Sequence, residues 1–308
     1  MTETIDLLTI GAGPAALTAA IYSCREDLKT VLVEKGVIGG LAAITDWVDN
    51  YPGFPDGLAG LDLAENLRKQ AERFGADIRL GEVTHVSKQD DGNIKVETTE
   101  GTLSARAVLI ATGSDYKKIG VPGEAEYYAR GVHYCATCDG AFYRDKRIVV
   151  VGGGNSAVQE ALFLTRFATH IDLLVRSEIR ASDVLVHELE KAETEGKITI
   201  HLNTTTDEIV GEDGKVIKVI GTKYGVATEF PTDGVFVFVG LKPNTDFLKN
   251  FIDLDEIGLV LTDNSLMTNI EGVFAAGDVR SGATMQIASA TGEGATAALK
   301  IREYLEKK

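Results

Sequence analysis

The chain has 308 residues, of which 44% are hydrophobic, and it carries a net charge of −15. This length exceeds what one hydrophobic core usually serves, so two domains are expected, and the composition is that of an ordinary globular protein. The negative charge disfavours nucleic acid and anionic membranes as partners, and no apolar run is long enough to span a membrane.

The first predicted unit is a strand, a glycine-rich turn, a helix and a second strand. An apolar run over residues 5–10 leads into Gly11, Gly13 and Ala16, which match the G-x-G-x-x-G/A pattern. In that pattern the first glycine makes the tight turn, the second lets the backbone approach a pyrophosphate, and the third small residue lets the helix pack on the sheet. Glu34 follows about 20 residues later, where a carboxylate accepts hydrogen bonds from a ribose. This unit therefore predicts a dinucleotide site.

A long loop and several short strands follow the first unit. Residues 36–55 are predicted to form a loop, which on sequence alone either covers a cofactor or lies on the surface. A helix is predicted over 61–74, and strands over 78–80, 83–86, 94–98 and 107–110.

Two cysteines two residues apart lie near the middle of the chain. Cys135 and Cys138 can close a small disulfide, and in a reducing compartment such a bond is more often catalytic than structural. Asp139 is the acid beside the pair, so it is the candidate to protonate a departing thiolate, with an exposed turn aspartate as the alternative. Cys24, on the first predicted helix, is expected to be a small buried side chain.

Cysteine usage also bears on the compartment. Three cysteines are too few for a secreted fold held by disulfides, and residues 1–6 lack the basic segment of a secretory signal. We therefore expect a cytoplasmic protein.

A second nucleotide-binding unit follows the cysteine pair directly. A strand over 147–151 leads into Gly152, Gly154 and Ala157, which repeat the glycine pattern before a helix over 156–167 and a strand over 171–175. The chain therefore contains a duplicated dinucleotide-binding unit.

The end of the second unit differs from that of the first in charge. Arg176 occupies the place that Glu34 has in the first unit, and Ser177 and Arg180 lie nearby. A guanidinium group can bind a 2′-phosphate, so the second unit favours NADPH over NADH, with solvated surface charges as the alternative.

The remaining elements complete an alternating α/β pattern. Helices are predicted over 183–194 and 287–305, with strands over 197–203, 208–210, 216–222, 235–239 and 272–276 and a hairpin turn at 211–214.

Four motifs together carry a family resemblance over essentially the whole length. They are C-A-T-C-D-G at 135–140, G-G-G-N-S-A at 152–157, D-N-Y-P-G-F at 49–54 and F-A-A-G-D-V at 274–279. With them the chain resembles the low-molecular-weight thioredoxin reductases, which are FAD-dependent pyridine nucleotide-disulfide oxidoreductases. The resemblance implies an α/β fold with two Rossmann-like dinucleotide-binding domains of three-layer ββα type. The nicotinamide domain, 115–245, would be inserted into a discontinuous FAD domain made of 1–114 and 246–308.

The resemblance also implies the cofactor-binding residues. The FAD site would be formed by Gly11, Gly13, Pro14, Ala15, Ala16, Glu34, Lys35, Gly39, Gly40, Leu41, Asn50, Val83, Ala111, Thr112, Gly113, Gly277, Asp278, Gln286 and Ile287. The NADPH site would be formed by Gly154, Asn155, Ser156, Arg176, Ser177 and Arg180.

The resemblance assigns roles to the thiols as well. Electrons would pass from NADPH through FAD to the disulfide, with Cys138 facing the flavin and Cys135 attacking the disulfide of thioredoxin or a thioredoxin-like protein. The family is homodimeric and holds FAD without a covalent bond.

Three departures from the family pattern concern cofactor contacts. Leu41 stands where the family usually has glutamine, and Met285 precedes Gln286 where it usually has arginine. The usual histidine-arginine-arginine before the phosphate site is Val175-Arg176-Ser177 here, which affects the strength and identity of nicotinamide binding.

Other functions compete with this interpretation. A zinc site on Cys135, Cys138 and His133 would need a fourth ligand, and no second cysteine pair exists, so no metal is expected. Related flavoenzymes use NADH or reduced ferredoxin as donor, serve a peroxiredoxin system, or act as dithiol oxidases. A flavoprotein that only binds a partner and senses redox state is the remaining alternative.

Overall fold

The computed structural model describes residues 5–45 and 47–308. Residues 1–4, part of the segment considered for a secretory signal, lie outside the described residues. The chain divides into a first unit, Met1–Asp115 with Lys242–Lys308, and a second unit, Tyr116–Leu241. The predicted boundaries, after residues 114 and 245, lie close to these, and the assignment of FAD to the first unit and NADPH to the second stays a prediction.

The helices and strands follow one another in an alternating order. The strands are β1 (Ile5–Ile10), β2 (Thr30–Glu34), β3 (Asp77–Leu80), β4 (Val83–Lys88), β5 (Ile94–Thr98), β6 (Gly101–Ile110), β7 (Ser114–Tyr116), β8 (Val132–His133), β9 (Arg147–Val151), β10 (His170–Leu174), β11 (Ile198–His201), β12 (Thr204–Glu212), β13 (Lys215–Lys223), β14 (Val226–Pro231), β15 (Gly234–Val237), β16 (Leu241–Pro243) and β17 (Val273–Ala275). The helices are α1 (Pro14–Arg25), α2 (Gly40–Ala43), α3 (Gly60–Arg73), α4 (Ala136–Asp139), α5 (Asn155–Leu164), α6 (Asp183–Thr194) and α7 (Ile287–Leu305).

The sheet of the first unit brings the ends of four strands to one edge. Its order is β3-β2-β1-β6-β5-β4, and β17 also pairs with β6. β1 is parallel to β2 and β6, with Ile10 opposite Val33 and Ile110, and Ala275 of β17 is also opposite Ile110. The residues that follow β1, β2, β6 and β17 therefore lie together at the carboxyl edge, which is where ligands bind in such sheets.

Two apolar clusters cover the two faces of that sheet. Leu7 and Leu32 pack with residues of α1, α3 and α7 on one face. Leu8 and Val31 pack with residues of β4, β5 and the segment after β16 on the other. Gly294 of α7 lies directly against the backbone of Ala15 in α1, so the two helices approach closely.

The second unit contains a parallel sheet and an antiparallel one. The parallel order is β11-β10-β9-β15-β8, and β12-β13-β14 form the antiparallel sheet. Val151, at the end of β9, lies opposite Leu174 and Val237. The glycine turn after β9 and the cysteine pair after β8 thus leave the same sheet at its carboxyl edge.

The predicted α/β class with parallel sheets is confirmed, with some local differences. The predicted loop over 36–55 contains α2, and β14 and α4 were not predicted. Among the described residues, no helix is both long and apolar enough to cross a membrane.

Candidate functional site

The first glycine turn is fixed by the fold at Gly11. This residue has φ +103°, and a Cβ atom there would lie 2.5 Å from the carbonyl oxygen of Ala111. Both the positive φ and the close approach of β6 therefore require glycine, independently of any ligand.

Gly13 is open where Gly11 is crowded. It is the N-cap of α1, makes no side-chain cap hydrogen bond, and is followed by Pro14 at the start of the helix. A Cβ atom on Gly13 would meet nothing within 4 Å. Free N–H groups at a helix start facing open space form a site suited to phosphate, so these residues fit a dinucleotide.

Glu34 holds the turn with both carboxylate oxygens. Its Oε2 accepts a hydrogen bond of 2.7 Å from Ala12 N, and its Oε1 accepts one of 2.7 Å from Gly36 N. Each carboxylate oxygen has further acceptor capacity, so Glu34 can hold the turn and still accept from a ribose.

Several other predicted FAD residues are joined to this turn. Gly39 N donates to Ala12 O at 2.8 Å. A Cβ atom on Gly40 would lie 3.6 Å from Gly13 Cα, and one on Gly277 would lie 3.1 Å from Ala15 Cβ. Helix α1 therefore begins between the segment before α2 and the segment after β17.

A second group of predicted FAD residues is held by hydrogen bonds within the first unit. Asn50 Nδ2 donates to Gln286 Oε1 at 3.1 Å, directly before Ile287 begins α7. Thr112 Oγ1, next to Gly113, donates to Asn244 O at 2.8 Å. By contrast, Lys35 and Leu41 are exposed, and Val83 packs in the apolar cluster with Leu8. Ala16 is fully buried in α1.

Asp278 follows β17 and carries a perturbed carboxyl group. Burial raises the pKa of Asp278 to about 6, and the nearby Glu293 carboxylate adds to the effect. Glu293 itself accepts from Gly277 N at 2.8 Å and pairs with Arg280. The carboxyl group of Asp278 thus has a chemical environment unlike that of a surface aspartate.

The second glycine turn repeats the contrast of the first. Gly152 has φ +143° and a Cβ atom there would lie 2.7 Å from Ala157 Cβ, whereas one on Gly154 would meet nothing within 4 Å. Gly154 is the N-cap of α5 without a side-chain cap hydrogen bond, and Asn155 and Ser156 begin the helix. This helix start also fits a dinucleotide phosphate.

The predicted 2′-phosphate residues lie beside this second turn. Arg180 N donates to Gly153 O at 2.6 Å, and Asn155 Oδ1 accepts from Ser182 N at 2.8 Å. Arg176, Ser177 and Arg180 are exposed, and the Arg180 guanidinium lies 3.4 Å from the Glu178 carboxylate.

Cys135 and Cys138 form a disulfide at the start of α4. Their Cα atoms are 5.3 Å apart, and Cys135 is the N-cap residue, whose Sγ accepts from Cys138 N at 3.1 Å. Both residues are half-buried. A sulfur that accepts a backbone N–H is stabilised as a thiolate, the reactive form in disulfide exchange.

Asp139 contacts His133, which in turn contacts Tyr143, and the sequence indicated neither of these contacts. His133 Nδ1 lies 3.1 Å from Asp139 Oδ2, and His133 Nε2 lies 2.7 Å from the Tyr143 hydroxyl. The Asp139 side chain is 20% exposed, so the alternative of an exposed turn aspartate does not apply. A histidine just before the cysteine pair and a tyrosine just after it were the available signal.

Tyr134, directly before Cys135, is anchored by a buried carboxylate. Its hydroxyl donates to Glu124 Oε1 at 2.7 Å, and Glu124 also accepts from Ile119 N and Gly120 N. The backbone leading into the disulfide is therefore held in place by a buried hydrogen-bond network.

The structure also bears on Cys24 and on the zinc alternative. Cys24 is buried in α1, as predicted, and burial raises the pKa of its thiol. Within residues 5–45 and 47–308, no group of three or more His, Cys, Asp or Glu side chains could hold a metal ion.

Comparison with known proteins gives concordant results. The pyridine nucleotide-disulphide oxidoreductase family matches residues 5–294. The chain is 42% identical to the thioredoxin reductase of Bacillus subtilis (strain 168), over 98% of this chain and 95% of that protein. It is 40% identical to the thioredoxin reductase of Treponema pallidum (strain Nichols), over 98% of this chain and 97% of that protein.

Solved structures agree with the sequence relatives. The crystal structure of thioredoxin reductase from Streptococcus pyogenes superposes with a TM-score of 0.94 at 38% identity, covering 100% of both chains. Thioredoxin reductase from Giardia duodenalis gives a TM-score of 0.92 at 33% identity, covering 99% of this chain and 100% of that one. The resemblance inferred from the four motifs is therefore confirmed.

Proposed function

Because the chain belongs to the pyridine nucleotide-disulphide oxidoreductase family, we propose that it is a thioredoxin reductase, using NADPH, FAD and the Cys135–Cys138 couple. The observation that carries the proposal is the disulfide at the start of α4, in a chain with two glycine turns that each leave a helix start open. A disulfide alone could be structural, but two dinucleotide sites in the same chain provide a route for electron pairs.

Family membership implies a flavin and a pyridine nucleotide, and FAD in the first unit is the specific proposal. The open helix start at Gly13 would hold the pyrophosphate, and Glu34 would accept from a ribose. When bound, FAD would accept an electron pair from the nicotinamide and make it available to the disulfide. Asp278 and the Asn50–Gln286 pair are further polar groups that would orient it.

NADPH in the second unit is proposed from charge. Arg176 and Arg180, with Ser177, offer donors near the helix start at Gly154, where a 2′-phosphate would need them. NADH or reduced ferredoxin are the alternative donors. Arg176→Ala should raise KM for NADPH and leave KM for NADH unchanged, because the lost guanidinium would bind the 2′-phosphate, which NADH lacks.

The thiol chemistry is proposed to proceed from Cys135. Its thiolate attacks one sulfur of the oxidised partner, forming a mixed disulfide while the partner's own disulfide bond breaks. Asp139 gives a proton to the departing thiolate. Cys138 then attacks Cys135, which restores the Cys135–Cys138 disulfide and releases the reduced partner.

We also propose a partner, an oligomeric state and a compartment. Thioredoxin or a thioredoxin-like protein would be the substrate, the protein would act as a homodimer, and the low cysteine content favours the cytoplasm. A flavin-dependent dithiol oxidase is the alternative function. It would pass electrons from thiols towards oxygen, so oxygen consumption driven by reduced thiols would favour it.

The testing experiment identifies the electron donor directly. The purified yellow protein is mixed anaerobically with NADPH, NADH and reduced ferredoxin in turn, and flavin absorbance is followed. We expect rapid bleaching with NADPH and slower bleaching with the other two. Bleaching by ferredoxin alone would overturn NADPH as donor, and a protein that stays colourless after reconstitution with FAD would overturn the function.

A further inference from the structure

His133 and Tyr143 connect Asp139 to the interior of the second unit. The contacts run from Asp139 Oδ2 to His133 Nδ1 at 3.1 Å, and from His133 Nε2 to the Tyr143 hydroxyl at 2.7 Å. His133 and Tyr143 are each only 7% exposed. Three polar side chains are therefore linked by one close polar contact and one hydrogen bond, in a row that begins beside the disulfide and ends in the core.

Aromatic packing fixes both rings in this arrangement. The His133 ring stacks on Phe236 with centroids 5.2 Å apart, and Tyr143 meets both rings edge-on, at 5.2 and 5.3 Å. The Tyr143 ring also lies against Gly234, where a Cβ atom would come within 2.7 Å of its hydroxyl. Neither ring can rotate freely, because rotation would displace closely packed neighbours.

We propose that His133, held by Tyr143, is a positioning residue that orients Asp139 for proton transfer in the thiol step; this inference rests on the proposed function. A neutral imidazole has one donor and one acceptor nitrogen. With the Tyr143 hydroxyl donating to Nε2, the proton of His133 lies on Nδ1, which is 3.1 Å from Asp139 Oδ2. One carboxyl oxygen is thereby fixed, and the other remains for proton transfer.

The environment of Tyr143 supports this direction of donation. Burial raises the pKa of Tyr143, and the carboxylates of Asp139 and Asp233 raise it further. The hydroxyl therefore keeps its proton at neutral pH and can donate to Nε2. Lys146 lies over the Tyr143 ring with its Nζ 5.3 Å from the centroid. Burial raises the pKa of Tyr128, and the Asp139 carboxylate adds to this effect.

The proton balance of the thiol step gives His133 its role. The Cys135 thiolate forms a bond to one partner sulfur, the partner disulfide breaks, and the departing thiolate takes the proton of Asp139. The carboxylate that remains is then stabilised by the Nδ1–H group of His133 next to it, until a proton from solvent restores the acid. Without that donor, the newly formed carboxylate is less stable, and proton release from Asp139 is less favourable.

The test compares variants that remove one or both contacts. His133→Phe removes both ring nitrogens but keeps an aromatic ring against Phe236. His133→Asn keeps an amide donor near the position of Nδ1, and Tyr143→Phe removes only the hydroxyl. His187→Asn is the matched control, because His187 is an exposed histidine on α6 of the same unit.

The readout is thioredoxin reduction by the holoenzyme, with kcat and KM for thioredoxin determined separately. We expect His133→Phe to lower kcat about tenfold without changing KM for thioredoxin. His133→Asn should restore most of kcat, Tyr143→Phe should give a smaller change in the same direction, and His187→Asn should match the wild type. Equal losses of kcat in His133→Phe and His133→Asn, or a change in KM in place of kcat, would overturn the inference.

A second readout keeps the inference separate from the proposed function. When dithiothreitol reduces the Cys135–Cys138 disulfide, the departing thiolate is one of these two sulfurs, and Asp139 beside the pair is the acid that would protonate it; neither NADPH nor thioredoxin is needed. The same order of variants is expected. If the wild type fails with thioredoxin while the dithiothreitol rates follow this order, the proposed function fails and the role of His133 stands. If dithiothreitol reduces the His133 and Tyr143 variants at the same rate as the wild type, that role is refuted.

Discussion

Replacing Gly13 by alanine should separate cofactor binding from folding in the first unit. Gly13 has φ −77°, which any residue adopts, and a Cβ atom there meets nothing within 4 Å. The free energy of unfolding of the apo-protein should therefore change by less than about 0.5 kcal/mol. The added methyl group would, however, stand where a pyrophosphate must approach the backbone. We expect the dissociation constant for FAD to rise about tenfold, or about 1.4 kcal/mol.

Gly11→Ala is the matched variant, in which the apo-protein itself should lose stability. At φ +103°, alanine would incur about 1–2 kcal/mol of backbone strain. Its Cβ atom, 2.5 Å from the carbonyl oxygen of Ala111, would force the backbone to shift at a further cost of about 1–3 kcal/mol. The apo-protein should thus lose about 2–5 kcal/mol of stability, a large part of the total for a typical domain.

Urea unfolding of both apo-proteins, followed by circular dichroism, gives the free energy of unfolding. Titration with FAD, followed by flavin fluorescence, gives the dissociation constant. The reasoning is refuted if Gly13→Ala destabilises the apo-protein as much as Gly11→Ala does. It is also refuted if Gly13→Ala binds FAD as tightly as the wild type.

Two further predictions concern buried carboxylates, and urea unfolding of the apo-protein at several pH values checks both. The pKa of Asp278 is raised to about 6. Its contribution to stability is therefore full below about pH 4 and is lost as pH rises through about 6. Asp278→Asn should accordingly stabilise the apo-protein at pH 7 by about 1–3 kcal/mol. No gain at pH 7 would contradict this. Burial raises the pKa of Asp172, but hydrogen bonds from His201 and Arg147 outweigh burial and leave it below its usual value. Its contribution is therefore present above about pH 4 and is lost as pH falls through the lowered pKa, and Asp172→Asn should cost about 3 kcal/mol at pH 7. A neutral effect would show that the pair with Arg147 contributes nothing.

The nucleotide-binding units could be predicted because their signals are local. The apolar runs of β1 and β9 lead directly into glycine turns, and the helix boundaries of α6 and α7 agree with their sequence periodicity. The pattern also predicts a tight turn at Gly11 and an open approach at Gly13, and the structure shows that Gly11 is crowded and Gly13 open.

The missed elements lack such signals. Strand β14 is mostly exposed and ends at Pro231, so neither alternation nor apolar content marks it. Helix α4 has a single turn and is capped by the sulfur of Cys135, which is not a usual capping group.

The surroundings of Asp139 could not be derived from the sequence for a different reason. His133 ends a two-residue strand and Tyr143 ends a short 3₁₀ helix. Their contact depends on how these segments pack around Phe236, which no periodicity encodes. The sequence offered His133 as a zinc ligand, whereas in the structure it contacts Asp139 and forms a hydrogen bond with Tyr143.

The central claim is that electron pairs reach thioredoxin through the Cys135–Cys138 couple. The most direct measurement follows flavin absorbance after the NADPH-reduced protein is mixed anaerobically with oxidised thioredoxin, for the wild type and for a variant with both cysteines replaced by serine. We expect thioredoxin to restore the oxidised flavin spectrum within a turnover in the wild type, and to leave the variant bleached. Equal rates of flavin reoxidation in the two proteins would contradict the account.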